Sequence, residues 1–167
     1  MQKLILLVLL ALPFSIIAQN AAIESFYQKY KDFEELSDVT LKGWLLKATS
    51  SAVDKDDANN VLNKITYFRA LIMEDGNLVK NSDYKSFMKA IKKDDFEELV
   101  KVKDKGSDID ILVRDQGDFI TDAILVVSDE DQFILLSMEG RLKLSDFKDI
   151  NINIDGADYF KKAAQSL

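Results

Sequence analysis

Ile23, Phe26, Tyr27 and Tyr30 stand at i, i+3, i+4 and i+7, the spacing of one buried stripe on an α-helix, and Asn20 precedes them as its cap. The same stripe recurs at Tyr84, Phe87, Met88 and Ile91, with Ser82 as the expected cap. Between them Val39 and Leu41 predict a short strand, and Trp44, Leu45 and Ala48 return to helical spacing. Thr49 to Asp57 is a polar break, from which Asp56 or Asp57 caps a short helix through Leu62. Ile65 to Met73 holds Tyr, Phe, Leu and Ile without Gly or Pro, which predicts a strand covered on both faces; Glu74-Asp75-Gly76-Asn77 ends it with turn chemistry.

From Glu98 the period changes to two, with turn signals at Gly106, at Gly117, around Asp129 to Asp131 and at Gly140, the cadence of an antiparallel meander. Val100 and Val102 alternate with Lys101 and Lys103, as Ile109 and Ile111 alternate with Asp108 and Asp110. A two-residue loop at Lys105-Gly106 sets Lys101 opposite Asp110, Lys103 opposite Asp108, Val102 opposite Ile109 and Val100 opposite Ile111; a one-residue slip would put Val102 against Asp108. Ile120 to Val127 and Phe133 to Met138 are nearly continuous in apolar residues and are expected to be central strands under the helices, although Asp122 interrupts every alternation. Leu144, Phe147 and Ile150 resume helical spacing, Ile150, Ile152 and Ile154 alternate with Asn151 and Asn153, and a closing helix is expected from Ala157 to Ser166. The order predicts an α+β fold, helices packed on one face of a mostly antiparallel sheet ending in a four-stranded meander.

The N-terminus has a different pattern. Met1-Gln2-Lys3 is a short basic start, Leu4 to Ile17 an apolar run too short to span a bilayer, and Ala18 a small residue for cleavage: a secretory signal peptide over residues 1–18. Residues 19–167 then form a single domain, since no linker, repeat or low-complexity seam interrupts them. One lysine of the 22 basic residues leaves with the leader, so 21 basic side chains face 29 acidic ones. That balance argues against nucleic acid as a partner, and the short leader against stable membrane insertion after cleavage. With no Cys there are no disulfides and no lipid on an N-terminal Cys, so the expected location is the periplasm or the outside of the cell.

Histidine and cysteine are both absent, which removes Ser-His-Asp and Cys-His nucleophilic sites, most zinc sites, and haem ligation by those residues. No Gly-rich phosphate loop exists either. Asp108 and Asp110, about 7 Å apart on one strand face, match an inverting glycosidase in spacing, but the cross-strand lysines favour their ionised forms, so a solvated ladder of ion pairs is the expected arrangement. Asn151-Ile152-Asn153-Ile154-Asp155-Gly156 begins like a calcium loop, yet its twelfth position is Lys162 where the metal needs a bidentate acid. Ser128-Asp129-Glu130-Asp131 reads as a polar hairpin tip. Trp44 and the aromatic stripes read as core; the sharper alternative has Trp44, Tyr67 or Phe68 lining a groove for a peptide or partner helix. We assign no catalytic, cofactor-binding or metal residues and no cofactor.

The leader ending Ala18-Gln19, the helix Ile23-Glu24-Ser25-Phe26-Tyr27, the runs Phe96 to Lys103 and Phe133 to Gly140, and the closing Asn153-Ile154-Asp155-Gly156 together give the chain its likeness. It resembles secreted proteins of the family catalogued as domain of unknown function 4252, common in Bacteroidetes. The resemblance implies an exported α+β domain with no assigned activity and no catalytic residues to carry over. Members are encoded near extracytoplasmic sigma factors in some genomes, which implies a link to envelope-stress regulation. Three functions follow as expectations: a non-enzymatic envelope domain binding a protein or peptide; a carboxylate-dependent hydrolase acting on a glycan, which needs a cleft with two carboxylates, one desolvated and unpaired; and a carrier of a small apolar ligand, which needs an interior cavity of about 300 Å³ or more.

Overall fold

A computed structural model of the chain describes residues 20–34, 36–43, 45–46, 61–104 and 106–148. The expected signal peptide, Trp44, the polar break at Thr49 to Asp57, the Asn151 to Gly156 segment and the expected closing helix lie outside the described residues. The elements run α1 (Ala21–Tyr30), β1 (Ser37–Lys42), β2 (Ile65–Met73), α2 (Asn81–Lys93), β3 (Glu97–Asp104), β4 (Ser107–Gln116), β5 (Phe119–Ser128) and β6 (Phe133–Leu142), then a 3₁₀ turn over Leu144–Lys148. All six strands form one antiparallel sheet in the order β1-β2-β6-β5-β4-β3. The four-stranded meander is therefore present as predicted, and α2 carries the chain across the sheet from β2 to the far edge at β3.

Helices α1 and α2 cover one face. The stripe of α1 buries Phe26, Tyr27 and Tyr30, that of α2 buries Phe87, Met88 and Ile91, and they pack on Leu71, Met73, Leu112, Ile124, Val126, Phe133 and Leu135. Phe26 sits at the junction, its ring 4.6 Å from Phe87 and 5.6 Å from Phe133. The other face is equally apolar: Ile109, Ile111, Leu125, Val127, Ile134 and Leu136 are buried there, with Leu46 and Val61 among their neighbours. Two-sided burial is why β5 and β6 read as continuous apolar runs.

The cap expected at Asn20 is present, its Oδ1 accepting from the backbone N–H groups of Ala22 and Ile23. The one expected at Ser82 is not. Lys80 is the N-cap of α2 and has no side-chain cap bond; its carbonyl accepts from the N–H groups of Asp83 and Tyr84, so Ser82 already lies inside the first turn. The loop before it sets that earlier start, because Asn77 Oδ1 accepts from Val79 N–H and the Tyr30 hydroxyl accepts from Lys80 N–H.

The β3–β4 hairpin has the predicted register at all four pairs, Lys101 to Asp110, Lys103 to Asp108, Val102 to Ile109 and Val100 to Ile111, and Gly106 closes its loop at a φ of 97° that favours glycine. Gly140 is not a turn as expected. It lies within β6, where β2 passes so close that a Cβ would collide with the carbonyl oxygen of Lys64 and come within 3.1 Å of Ile65 Cα. The missing alternation around Asp122 has its cause here as well: the pairs Arg114 to Asp122 and Asp115 to Ile120 leave Thr121 as an extra residue, a β-bulge that resets the pleat.

Candidate functional site

A concavity of about 760 Å³ opens between α2, the β3–β4 hairpin and the β5–β6 turn. Tyr84, Lys85, Met88 and Lys92 line it from α2, Lys101, Lys103 and Asp108 from the hairpin, and Ser128 to Glu130 from the turn. Charge at its rim is mostly matched: Lys92 pairs with Glu98 at 2.7 Å and Lys103 with Asp108 at 3.0 Å. Among the described residues Lys85 is the lining lysine without an ion pair.

The solvated ladder expected of Asp108 and Asp110 is only half right. Lys103 is exposed and Asp108 half-buried, but Asp110 is completely buried. The helical layer reaches this end of the sheet, and Tyr84 descends from α2 to donate its hydroxyl to Asp110 Oδ2 at 2.5 Å while Lys101 Nζ pairs with Oδ1. Burial, then the adjoining carboxylate, push the Tyr84 phenol far above its ordinary value. Burial lowers Lys101, but Asp110 outweighs it and holds the ammonium above its usual range. Asp110 therefore has a counter-ion and a hydrogen-bond donor, the opposite of the unpaired acid that hydrolysis would require.

Three phenols share that upward shift. Tyr27, wholly buried with its hydroxyl 3.0 Å from the carbonyls of Arg69 and Leu135, is raised by burial, and Tyr30 is pushed up to about 12 by burial and then by its bond to Asp83. A raised acid keeps its proton in the folded chain after the unfolded chain has lost it. The stability these groups contribute is intact below about pH 10 and falls as pH rises through the folded values. Urea midpoints are expected to decline above that pH, and Tyr84→Phe to decline less steeply; a midpoint flat to pH 11.5 would contradict this.

Ser128 to Asp131 forms the β5–β6 turn. Asp129 Oδ1 accepts from the N–H groups of Asp131 and Gln132, and Oδ2 from Gln132 Nε2 and Ser107 Oγ, so the carboxylate is committed to shaping the tip. Burial opposes the charge, and those donors outweigh it and keep Asp129 ionised below the usual range.

A second arrangement was not anticipated. At the opposite end of the helix-covered face, Arg114 grips Asp122 through Nε at 3.0 Å and Nη2 at 2.8 Å, and Asp122 stands directly across from Glu139. Thr66, Gln116 and Gly140 complete a cleft of about 240 Å³. Glu139 has no side-chain hydrogen bond or ion pair among the described residues; burial raises its carboxyl, Asp122 raises it further, and Arg114 opposes both. The available signal was that Asp122 and Glu139 each interrupt an apolar strand, but only the bulge at Thr121 puts them face to face. Beneath α1, beside Arg69 and Ser137, about 10 Å³ is left open, room for one water at most.

Helices α1 and α2 on one face of an antiparallel sheet, with a charged open cleft at the helix–hairpin seam, define an α+β domain whose architecture alone names no chemistry. The family model described as domain of unknown function DUF4252 matches residues 27–150, and the chain belongs to that family. No curated protein and no solved structure matches it. No helix among the described residues is long and apolar enough to cross a membrane.

Proposed function

We propose that this chain is an exported, non-enzymatic domain of the Bacteroidetes cell envelope that binds a protein or peptide partner in the α2–hairpin cleft. Its signal peptide delivers it to the periplasm or beyond, and the link to envelope-stress regulation rests on family resemblance. The observation that carries the reading is the cleft itself: about 760 Å³, open to solvent, lined by apolar Met88 and Val79 together with four lysines, while nearby Asp110 is paired with Lys101. Such a surface offers area and matched charge to a partner and no activated group to a substrate. Envelope extract passed over the immobilised chain and over Lys85→Glu, an exposed position of the cleft wall, tests it. A component retained by the parent and lost from the variant is expected; equal retention by both would remove the cleft from the account.

One observation favours a second reading, a carboxylate-dependent glycan hydrolase, and it is Glu139. Directly opposed strand residues have Cβ atoms about 4.5–5.5 Å apart, close to the carboxyl separation of retaining glycosidases. Glu139 would act as the acid and Asp122, gripped by Arg114, as the second carboxylate. A carboxyl raised on folding lowers stability as pH climbs past its unfolded value, because the folded chain alone holds the proton. Glu139→Gln is therefore expected to raise the urea midpoint at pH 7 and to lose that advantage near pH 3.5. Hydrolysis of labelled oligosaccharides by the parent, abolished in the same variant, would establish this reading; no turnover by the parent would dismiss it. A carrier of a small apolar ligand remains a third option, supported by no enclosed space of the size such a ligand needs among the pockets described above.

A further inference from the structure

Among the described residues, each edge of the sheet presents a row of backbone groups without strand partners, and the two edges differ. The β3 edge is blunted, with a bulge between Glu98 and Val100 and lysines at Lys101 and Lys103. The β1 edge has none of these protections except Lys42 at its end. All six of its residues pair with β2 in unbroken register, from Ser37 with Ile72 to Lys42 with Tyr67, and five of the six are exposed on the outer edge. Val39 is 43% exposed there, one of three large apolar side chains so uncovered among the described residues.

The segment Asp38-Val39-Thr40-Leu41-Lys42 is complementary to itself when reversed. A two-fold axis through Thr40, perpendicular to the sheet, keeps the helices of both copies on one side. It sets Asp38 opposite Lys42 of the second copy, Val39 opposite Leu41 of the second copy, and Thr40 opposite its own equivalent. Asp38 and Lys42 share the helix-covered face, standing beside Leu71 and Tyr67; Val39 and Leu41 share the other, beside Ala70 and Phe68. A one-residue slip would turn the second copy over and destroy the symmetry. Lys42 has no ion pair among the described residues, and Asp38, though gripped by Arg69, keeps its carboxylate 24% exposed to receive one.

We infer that β1 is a homodimer edge: two copies join by antiparallel β1–β1 pairing about Thr40, extending the six-stranded sheet to a continuous twelve. The pairing supplies main-chain hydrogen bonds and covers Val39, but one strand pair is small beside a standard interface, so the dimer is expected to be weak and concentration-dependent. The inference stands apart from the α2–hairpin cleft, which lies at the other end of the sheet order.

The chain contains no cysteine, so a single introduced one reports proximity without interference. In this dimer the two residues at position 40 are about 4.5–5.5 Å apart at Cα, within disulfide range, whereas the two at position 37 are six strand steps, about 20 Å, from each other. Under mild oxidation Thr40→Cys is expected to form a covalent dimer about tenfold faster than Ser37→Cys. Sedimentation should show the parent's mass doubling with concentration, Thr40→Lys and Thr40→Glu each remaining monomeric, and an equal mixture of the two restoring the dimer, which also shows that neither variant has unfolded. Equal cross-linking at positions 37 and 40, a parent that stays monomeric at every concentration, or a dimer indifferent to both charged variants would overturn the proposal.

Discussion

Phe133→Ala is expected to lower stability by about 3–5 kcal/mol and the melting temperature by on the order of 10 °C. Phe133 is fully buried at the start of β6, where it meets Phe26 from α1, and Phe26 in turn meets Phe87 from α2. Truncation removes the apolar area of a whole ring and leaves a void between three elements that cannot all move inward together. Urea unfolding measured by far-ultraviolet circular dichroism gives the number. A loss under about 1 kcal/mol would mean that the helices re-seat on the sheet freely, contrary to the packing of these rings.

That junction was legible before any coordinates, because an i, i+3, i+4, i+7 stripe states which side of a helix is buried. So was the first hairpin, where cross-strand lysine–aspartate pairs and a Gly-containing loop of fixed length leave one satisfactory register. What eluded the sequence had physical causes. Period-two alternation says that Asp110 and Ile111 face opposite ways, but in a sheet covered on both sides neither way is solvent, so Asp110 proved buried. Gly140 carries the same residue type as a turn and is used instead for backbone proximity to Lys64. The bulge at Thr121 shifts the pleat by one residue, and that shift, invisible to a fixed period, is what brings Asp122 and Glu139 together. Ser82 has the chemistry of a cap, but the fold starts the helix at Asn81 after a loop held by Tyr30. The α2–hairpin cleft could not be read at all, since its walls come from segments far apart in the chain.

Lys101→Met should produce the second large loss, about 2–3 kcal/mol, from a position that looks like surface. The side chain of Lys101 is 40% exposed while that of Asp110 is 0% exposed, so deleting the ammonium strands a buried carboxylate with Tyr84 as its remaining side-chain donor. Breaking a fully buried pair costs about 3–5 kcal/mol; water reaching the lysine side reduces that figure here. Lys103→Met provides the contrast. Its pair with Asp108 is 66% and 34% exposed, and its loss should stay within about 0.5 kcal/mol. Combining Lys101→Met with Asp110→Leu and Tyr84→Phe should return most of the deficit, because a satisfied polar network contributes little net stability over apolar groups of similar shape, while a half-satisfied one costs heavily. Equal urea midpoints for Lys101→Met and Lys103→Met would show that solvent already reaches Asp110, and that its pair with Lys101 contributes no more than an exposed one.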